Sequence, residues 1–142
     1  MDRNLKLTLS EDINVPAATV WEALTDRETI RKFMWGTHAT SDWKEGSTLT
    51  FEGEWQGKSY HEKGIILGIE KGKLMRYTYL STGFEDKPEN YAIITYQLSG
   101  GDEKTTLTVT QEGAKDEEAL QHSKEGWRSM LGNLKNILEE KK

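Results

Sequence analysis

Cysteine and histidine, which often act as nucleophiles, proton carriers or metal ligands, are almost missing from this sequence. The 142 residues include no cysteine and three histidines, His38, His61 and His122. Without cysteine there can be no thiolate nucleophile, no disulfide and no cysteine zinc site. No histidine has a second ligand at the spacing of a motif such as H-E-x-x-H, so we interpret all three as surface residues. We therefore predict no metal site, no cofactor and no catalytic residue.

Carboxylates are the other candidates for proton transfer, which would need one of them buried in a cavity. Glu52 and Glu54 alternate with aromatic residues on a predicted strand, so we expect them on its solvent side. His61 and Glu62 are neighbours on the next strand, and their side chains therefore point to opposite faces. The G-x-S-x-G motif of many hydrolases does not occur. The pattern identifies no acid–base pair.

Aromatic side chains have the most informative spacing. They recur at alternate positions of three predicted strands and on one face of the last helix: Phe51 and Trp55, Tyr77 and Tyr79, Tyr96, and Trp127 with Met130. If these sides face inward, several rings converge between sheet and helix. Such a cluster is either a plain packed core or the lining of a ligand cavity, in which tyrosine hydroxyls would find partners in a ligand or in water. The periodicity alone leaves both interpretations open.

Composition limits the classes of partner. Nineteen Lys and Arg against 24 Asp and Glu give a net charge of −5, and the isoelectric point is about 5.3. Nucleic-acid binding rests on basic residues, so a nucleic-acid partner is not expected, nor is an anionic membrane surface. Residues 1–9 lack the pattern of a secretory signal, and no run of 18 apolar residues occurs. We expect one domain over residues 1–142, in the cytoplasm.

The first third of the chain predicts a strand and two short helices. Residues 5–15 alternate between apolar and polar side chains, as a half-buried strand requires. Pro16 then starts a helix of about two turns. Thr25 and Glu28 have the spacing of a capping box that begins a second short helix. Small and polar residues over 36–47 predict a loop.

The rest of the chain predicts strands and one long helix. From residue 48 to 112 apolar side chains recur at every second position, and turn residues separate five predicted antiparallel strands. On the second of these strands the apolar residues do not keep to one side, which a bulge at Gly64 or Gly68 would explain.

The period returns to that of a helix over 116–141. Gly126 and Gly132 inside this helix each cost about 1 kcal/mol relative to alanine, which predicts a close approach to another element. Six strands in one sheet have an apolar face that only this helix is long enough to cover, so the predicted fold is α+β.

A family resemblance agrees with this architecture. The matching motifs are Val15-Pro16-Ala17-x-x-Val20-Trp21-x-Ala23-Leu24-Thr25-Asp26, Trp35-Gly36, Asp42-x-x-x-Gly46-x-x-Leu49-x-Phe51, Gly64, and Glu125-Gly126-Trp127-x-x-x-Leu131-x-x-Leu134-Lys135-x-x-Leu138. They resemble the START-like (SRPBCC, helix-grip) superfamily, which includes birch-pollen-allergen-like proteins, and more narrowly the homologues of the heat-shock-protein-90 ATPase activator. The resemblance implies a curved six-stranded antiparallel sheet that grips the C-terminal helix around an apolar cavity.

The resemblance also implies a function. We expect a non-catalytic protein that binds a small apolar or aromatic molecule between sheet and helix, with an entrance at the loops 34–47 and 81–90. The predicted ligand-binding residues are Phe33, Trp35, Phe51, Trp55, Tyr77, Tyr79, Tyr96, Trp127 and Met130. One alternative is a chaperone co-factor that interacts with heat-shock protein 90. Another is an enzyme of the cyclase or hydratase kind, which no catalytic constellation in these residues supports.

Overall fold

The strands form one antiparallel sheet against which the longest helix packs. The computed structural model describes residues 2–81 and 83–140, without the side chain of Trp55. The strands in this part of the chain are β1 (Asp2–Ile13), β2 (His38–Thr40), β3 (Thr48–Trp55), β4 (Lys58–Glu70), β5 (Leu74–Tyr79), β6 (Ala92–Gly100) and β7 (Thr105–Ala114). They pair in the order β1-β7-β6-β5-β4-β3-β2. The predicted α+β helix-grip fold is confirmed.

The described sheet has seven strands, one more than predicted, and the additional strand is β2. It lies within the segment 36–47 that the sequence predicts as a loop. Ala39 of β2 is buried and pairs with Phe51 of β3. Three residues are too few to show an alternating pattern, so a strand of this length leaves no signal in the sequence.

Two short helices, α1 (Ala17–Thr25) and α2 (Arg27–Phe33), follow β1 as predicted. The predicted capping box is wrong, because Thr25 ends α1 and donates its hydroxyl to the carbonyl of Trp21 at 3.0 Å. Asp26 is the N-cap of α2 instead, and its carboxylate accepts the backbone N–H of Thr29 at 3.0 Å. The aspartate cap satisfies one of the unpaired donors at the start of α2.

The turn between β3 and β4 determines which side chains face the helix. Gln56 and Gly57 both have positive φ, 51° and 79°, as a two-residue type I′ hairpin requires. The pairing continues without a shift, so Phe51 lies opposite Glu62. Directly opposite residues of paired strands share a face of the sheet. Glu62 is therefore on the buried side with Phe51.

A bulge in β4 confirms the expected irregularity near Gly68. The pairs Ile66–Tyr77 and Gly68–Arg76 leave one extra residue on β4. Ile66 is fully buried, whereas Ile65 and Leu67 on either side of it are 49% and 41% exposed on the opposite face of the sheet. At Gly64 the chain passes so close to β5 that an added Cβ would lie 1.5 Å from the carbonyl oxygen of Thr78.

The long helix α3 (Glu117–Glu140) packs on the sheet with its C-terminal half. Leu131, Leu134 and Leu138 are buried in the core together with residues of β1 and β7. The predicted close approach is wrong for Gly126 and Gly132, since an added Cβ at either position would meet no atom of another element within 4 Å.

Polar contacts fix the end of α3 to the end of β1. Glu139 accepts the backbone N–H of Asn14 at 3.0 Å, and Lys135 donates to the carbonyl of Asp12 at 2.5 Å. The described chain contains no helix that is long and apolar enough to cross a membrane.

Candidate ligand-binding site

A cavity of about 300 Å³ lies between the first half of α3, the end of α2 and strands β3, β4 and β5. The helix contributes Ser123, Gly126, Trp127 and Met130, which follow the i, i+3, i+4, i+7 spacing of a single helix face. Because the glycine has no side chain, the helix is recessed at this point. The empty space beside Gly126 is part of the cavity.

Aromatic rings form most of the sheet side of the cavity. Phe51 of β3 contacts Tyr77 and Tyr79 of β5, with ring centroids 6.1 and 6.0 Å apart. The ring of Tyr77 also contacts that of Tyr96, with centroids 5.6 Å apart, and the ring of Tyr96 contacts that of Trp127 of α3, with centroids 6.1 Å apart. All four pairs are tilted or edge-on, the arrangements that aromatic quadrupoles favour. The rings thus form a continuous chain from β5 across to α3.

Hydrogen bonds fix three of these rings in place. The indole Nε1–H of Trp127 donates to Oε1 of Gln111 at 2.7 Å, and Nε2 of Gln111 donates to the carbonyl of Gly113 at 2.9 Å. The hydroxyls of Tyr77 and Tyr96 share a buried hydrogen bond of 2.9 Å. Rotation of one of these rings into the empty space would break its hydrogen bond and leave a buried polar atom without a partner.

Burial also controls the protonation of these hydroxyls. It raises the pKa of Tyr96 to about 12, against an opposing effect of the hydrogen bond that this hydroxyl shares with Tyr77. Burial raises the pKa of Tyr77 well above its ordinary value in the same way, with Tyr96 adding to the effect. Both hydroxyls are therefore protonated at neutral pH and act as hydrogen-bond donors and acceptors rather than as bases.

The polar end of the cavity is formed by Glu62 and Tyr79. The Tyr79 hydroxyl donates to the Glu62 carboxylate. Burial, followed by the nearby Glu62 charge, raises the pKa of Tyr79 well above its ordinary value, so the hydroxyl keeps its proton. Thr37 and Ser81 also line the cavity. This end can therefore accept and donate hydrogen bonds, while the remaining wall offers aromatic surface.

Six of the nine predicted site residues line the cavity: Trp35, Phe51, Tyr77, Tyr79, Trp127 and Met130. Phe33 and Tyr96 do not, since both are buried in the core behind it. The side chain of Trp55 lies outside the described residues.

Glu62 and Gln111 line the cavity but were missing from the predicted site residues. For Glu62 a signal existed in the sequence: the two-residue turn Gln56-Gly57 sets the register that places it opposite Phe51.

A wider groove of about 920 Å³ joins the cavity to solvent. Both spaces are bordered by Trp35, Thr37, Glu62 and Gly126. The segment 34–47 thus contributes to the opening, as expected, whereas Ser81 is the described residue of 81–90 that reaches the cavity.

Among the three histidines, His122 borders the wider groove, and His38 and His61 lie beside a separate depression at β2, β3 and β4. The described side chains include no group of three or more potential metal ligands.

Trp35 stands at the opening in a conformation that few tryptophans adopt. Its φ is +50°, and the next residue donates its N–H to the carbonyl of Arg31, so Trp35 occupies the left-handed position that usually holds glycine after a helix. The residue as a whole is 55% exposed. A strained conformation persists where the surroundings or a function maintain it.

Replacing Trp35 separates this strain from binding. We expect Trp35→Gly and Trp35→Ala to weaken ligand binding equally, because both remove the ring. Trp35→Gly should be more stable than Trp35→Ala by about 1 kcal/mol, because alanine keeps the cost of positive φ. Chemical denaturation of both variants gives this difference. Equal stabilities would show that the left-handed conformation costs nothing here.

Comparisons with known proteins agree with this geometry. A Cytophaga hutchinsonii protein solved in solution is 39% identical, with a TM-score of 0.83 over 99% of this chain and 98% of that chain. A Nitrosomonas europaea protein has 18% identity and a TM-score of 0.78 over 99% and 98%. An HSP90 activator from Plasmodium falciparum has 21% identity and a TM-score of 0.76 over 94% and 96%. A search of curated proteins found no significant match.

The family itself follows from the sequence match, which confirms the resemblance in the motifs. The match covers residues 14–139, nearly the whole chain, and includes both the strand-to-helix motif at the start and the Gly126-Trp127 segment of α3. The chain belongs to the family described as Activator of Hsp90 ATPase homolog 1-like protein.

Proposed function

We propose that this protein binds a small, mainly aromatic molecule in the cavity between α3 and the sheet. The observation that carries the proposal is an open space of about 300 Å³ whose walls are aromatic rings held by their own hydrogen bonds. The space is open to solvent, so its aromatic walls are in contact with water, and a ligand that covers them gains hydrophobic free energy. The recessed helix at Gly126 keeps the space connected to solvent.

The size of the cavity limits the ligand. Binding sites for small molecules usually have volumes of about 300–1,000 Å³, so this one is at the lower end and suits a molecule of two or three rings. Burying about 200 Å² of apolar ligand surface would contribute roughly 5 kcal/mol before the costs of association. We therefore expect dissociation constants in the micromolar range.

Titration with N-phenyl-1-naphthylamine, whose fluorescence rises in apolar surroundings, tests the proposal. We expect saturable binding of one molecule per chain and a change in tryptophan emission, because Trp127 and Trp35 border the cavity. The control is Ile65→Ser, which removes an exposed apolar side chain from the opposite face of the sheet. Binding that is absent, or that falls in Ile65→Ser, would contradict a ligand site in the cavity.

A second candidate function is that of a co-factor for heat-shock protein 90. The family match and the fold shared with the Plasmodium activator favour it. The cavity has no necessary part in that function, so a steady-state ATPase assay of the chaperone with this protein in excess distinguishes the two. Stimulation that survives mutation of the cavity would establish the co-factor role independently of ligand binding.

A further inference from the structure

The polar end of the cavity has one sign of charge. Of the described side chains that line the cavity, Glu62 is the one with a carboxyl group, and none is a lysine or an arginine. The other polar groups are neutral hydroxyls and the Gln111 amide. A ligand that enters with an anionic group would therefore meet a carboxylate and no cation in the cavity wall.

The carboxylate can bind a ligand without giving up its contact to Tyr79. A carboxylate offers about four acceptor positions on its two oxygens, so Glu62 can accept from a ligand as well as from the Tyr79 hydroxyl. Glu62 is half-buried and borders both the cavity and the wider groove, so it is within reach of a group that passes from one to the other. A positively charged donor would form a charge-assisted hydrogen bond with the Glu62 carboxylate, which is stronger than a hydrogen bond between neutral groups.

The neighbouring rings favour the same sign of charge. Phe51 pairs with Glu62 across β3 and β4, and its ring contacts that of Tyr79 at 6.0 Å. The face of an aromatic ring attracts cations, and more so where water is partly excluded. A cationic group beside Glu62 would thus be close to a carboxylate and near the aromatic rings of Phe51 and Tyr79.

Charges farther out are mixed. The wider groove is bordered by Lys58, His122 and Glu125, all of them exposed. Charges that are exposed to solvent are screened by salt. Their effect on a ligand in the cavity is therefore smaller than that of the half-buried Glu62. The chain as a whole has a net charge of −5, which also favours cations.

We propose that the ligand of this cavity is an aromatic amine in its protonated form, with the rings between Phe51 and Trp127 and the ammonium group on the Glu62 carboxylate. The inference rests on the proposed function and specifies its ligand class. It predicts weak binding of aromatic acids and fatty acids whose carboxylate lies beside Glu62, because like charges repel there.

Isothermal titration calorimetry with three matched compounds tests the inference. They are the cation 1-naphthylmethylamine, the neutral alcohol 1-naphthalenemethanol and the carboxylate 1-naphthaleneacetate. They share the ring system and differ in charge. At pH 7 we expect the amine to bind at least tenfold more tightly than the alcohol, and the acetate more weakly than the alcohol. In Glu62→Gln, which can still accept from Tyr79, the amine should bind no more tightly than the alcohol.

Glu52→Gln is the matched control, because Glu52 is an exposed carboxylate on the other face of the neighbouring strand, near His61. It removes the same net charge and should leave the amine preference intact. An amine that binds no better than the alcohol in the wild-type protein would overturn the inference while leaving the ligand site standing. If none of the three compounds binds, the proposed function fails as well. The order of the three affinities in the wild-type protein decides the inference even if Glu62→Gln does not fold.

Discussion

Gly126→Phe is expected to weaken ligand binding strongly without destabilising the protein. An added Cβ at this position meets no atom within 4 Å, so a phenyl group can enter the space that the cavity and the groove share. Phenylalanine also has a higher helix propensity than glycine, by about 0.5 kcal/mol, which should keep stability equal or slightly higher. We expect affinity for N-phenyl-1-naphthylamine to fall at least thirtyfold, or about 2 kcal/mol.

Gly126→Ala is the control for this change. It gains about 1 kcal/mol in helix propensity but fills only the volume of a methyl group, so binding should change less than threefold. Thermal unfolding of both variants, measured beside the titrations, separates occlusion from unfolding. Undiminished binding in a folded Gly126→Phe protein would place the ligand somewhere else.

Gly64→Ala should have the largest effect on stability. The new Cβ would lie 1.5 Å from the carbonyl oxygen of Thr78, which is backbone and cannot rotate away. Strand β4 or β5 must move, and the contacts of Tyr77 and Tyr79 with Phe51 would move with it. We expect a loss of more than about 3 kcal/mol in the free energy of unfolding, beyond the usual range for overpacking.

Gly68→Ala on the same strand is the matched comparison, because a Cβ there meets nothing within 4 Å and its φ is not positive. It should be neutral to within about 0.5 kcal/mol, as surface changes usually are. Urea denaturation of the two variants gives the difference. Equal stabilities would mean that β4 and β5 can separate locally without cost.

The sequence was informative wherever a pattern is long enough to repeat. The spacing of Leu131, Leu134 and Leu138 predicts both the helix and the face it buries, and the core contains all three. The alternating residues at the start of the chain likewise predict β1. In these elements the local sequence pattern and the packing of the whole fold favour the same structure, so the pattern alone predicts the element.

The cavity was less predictable, because it depends on which positions are left unfilled. Aromatic spacing predicts that Phe51, Tyr77 and Trp127 converge, but it does not distinguish a cavity from a packed core. Gly126 illustrates the difficulty. A glycine inside a helix indicates either a close neighbour or an open space, and only the positions of the surrounding elements decide between them. Glu62 could have been found by following the hairpin register from the turn.

The two halves of α3 have separate tasks, and this division affects how the family can diversify. Residues from Ser123 to Met130 border the cavity, whereas Leu131 to Leu138, with Lys135 and Glu139, hold the helix to the core and to β1. Substitutions in the first half can alter the lining of the cavity while the second half preserves folding. Under the proposed function, one scaffold can therefore acquire new ligands through few mutations, with little loss of stability.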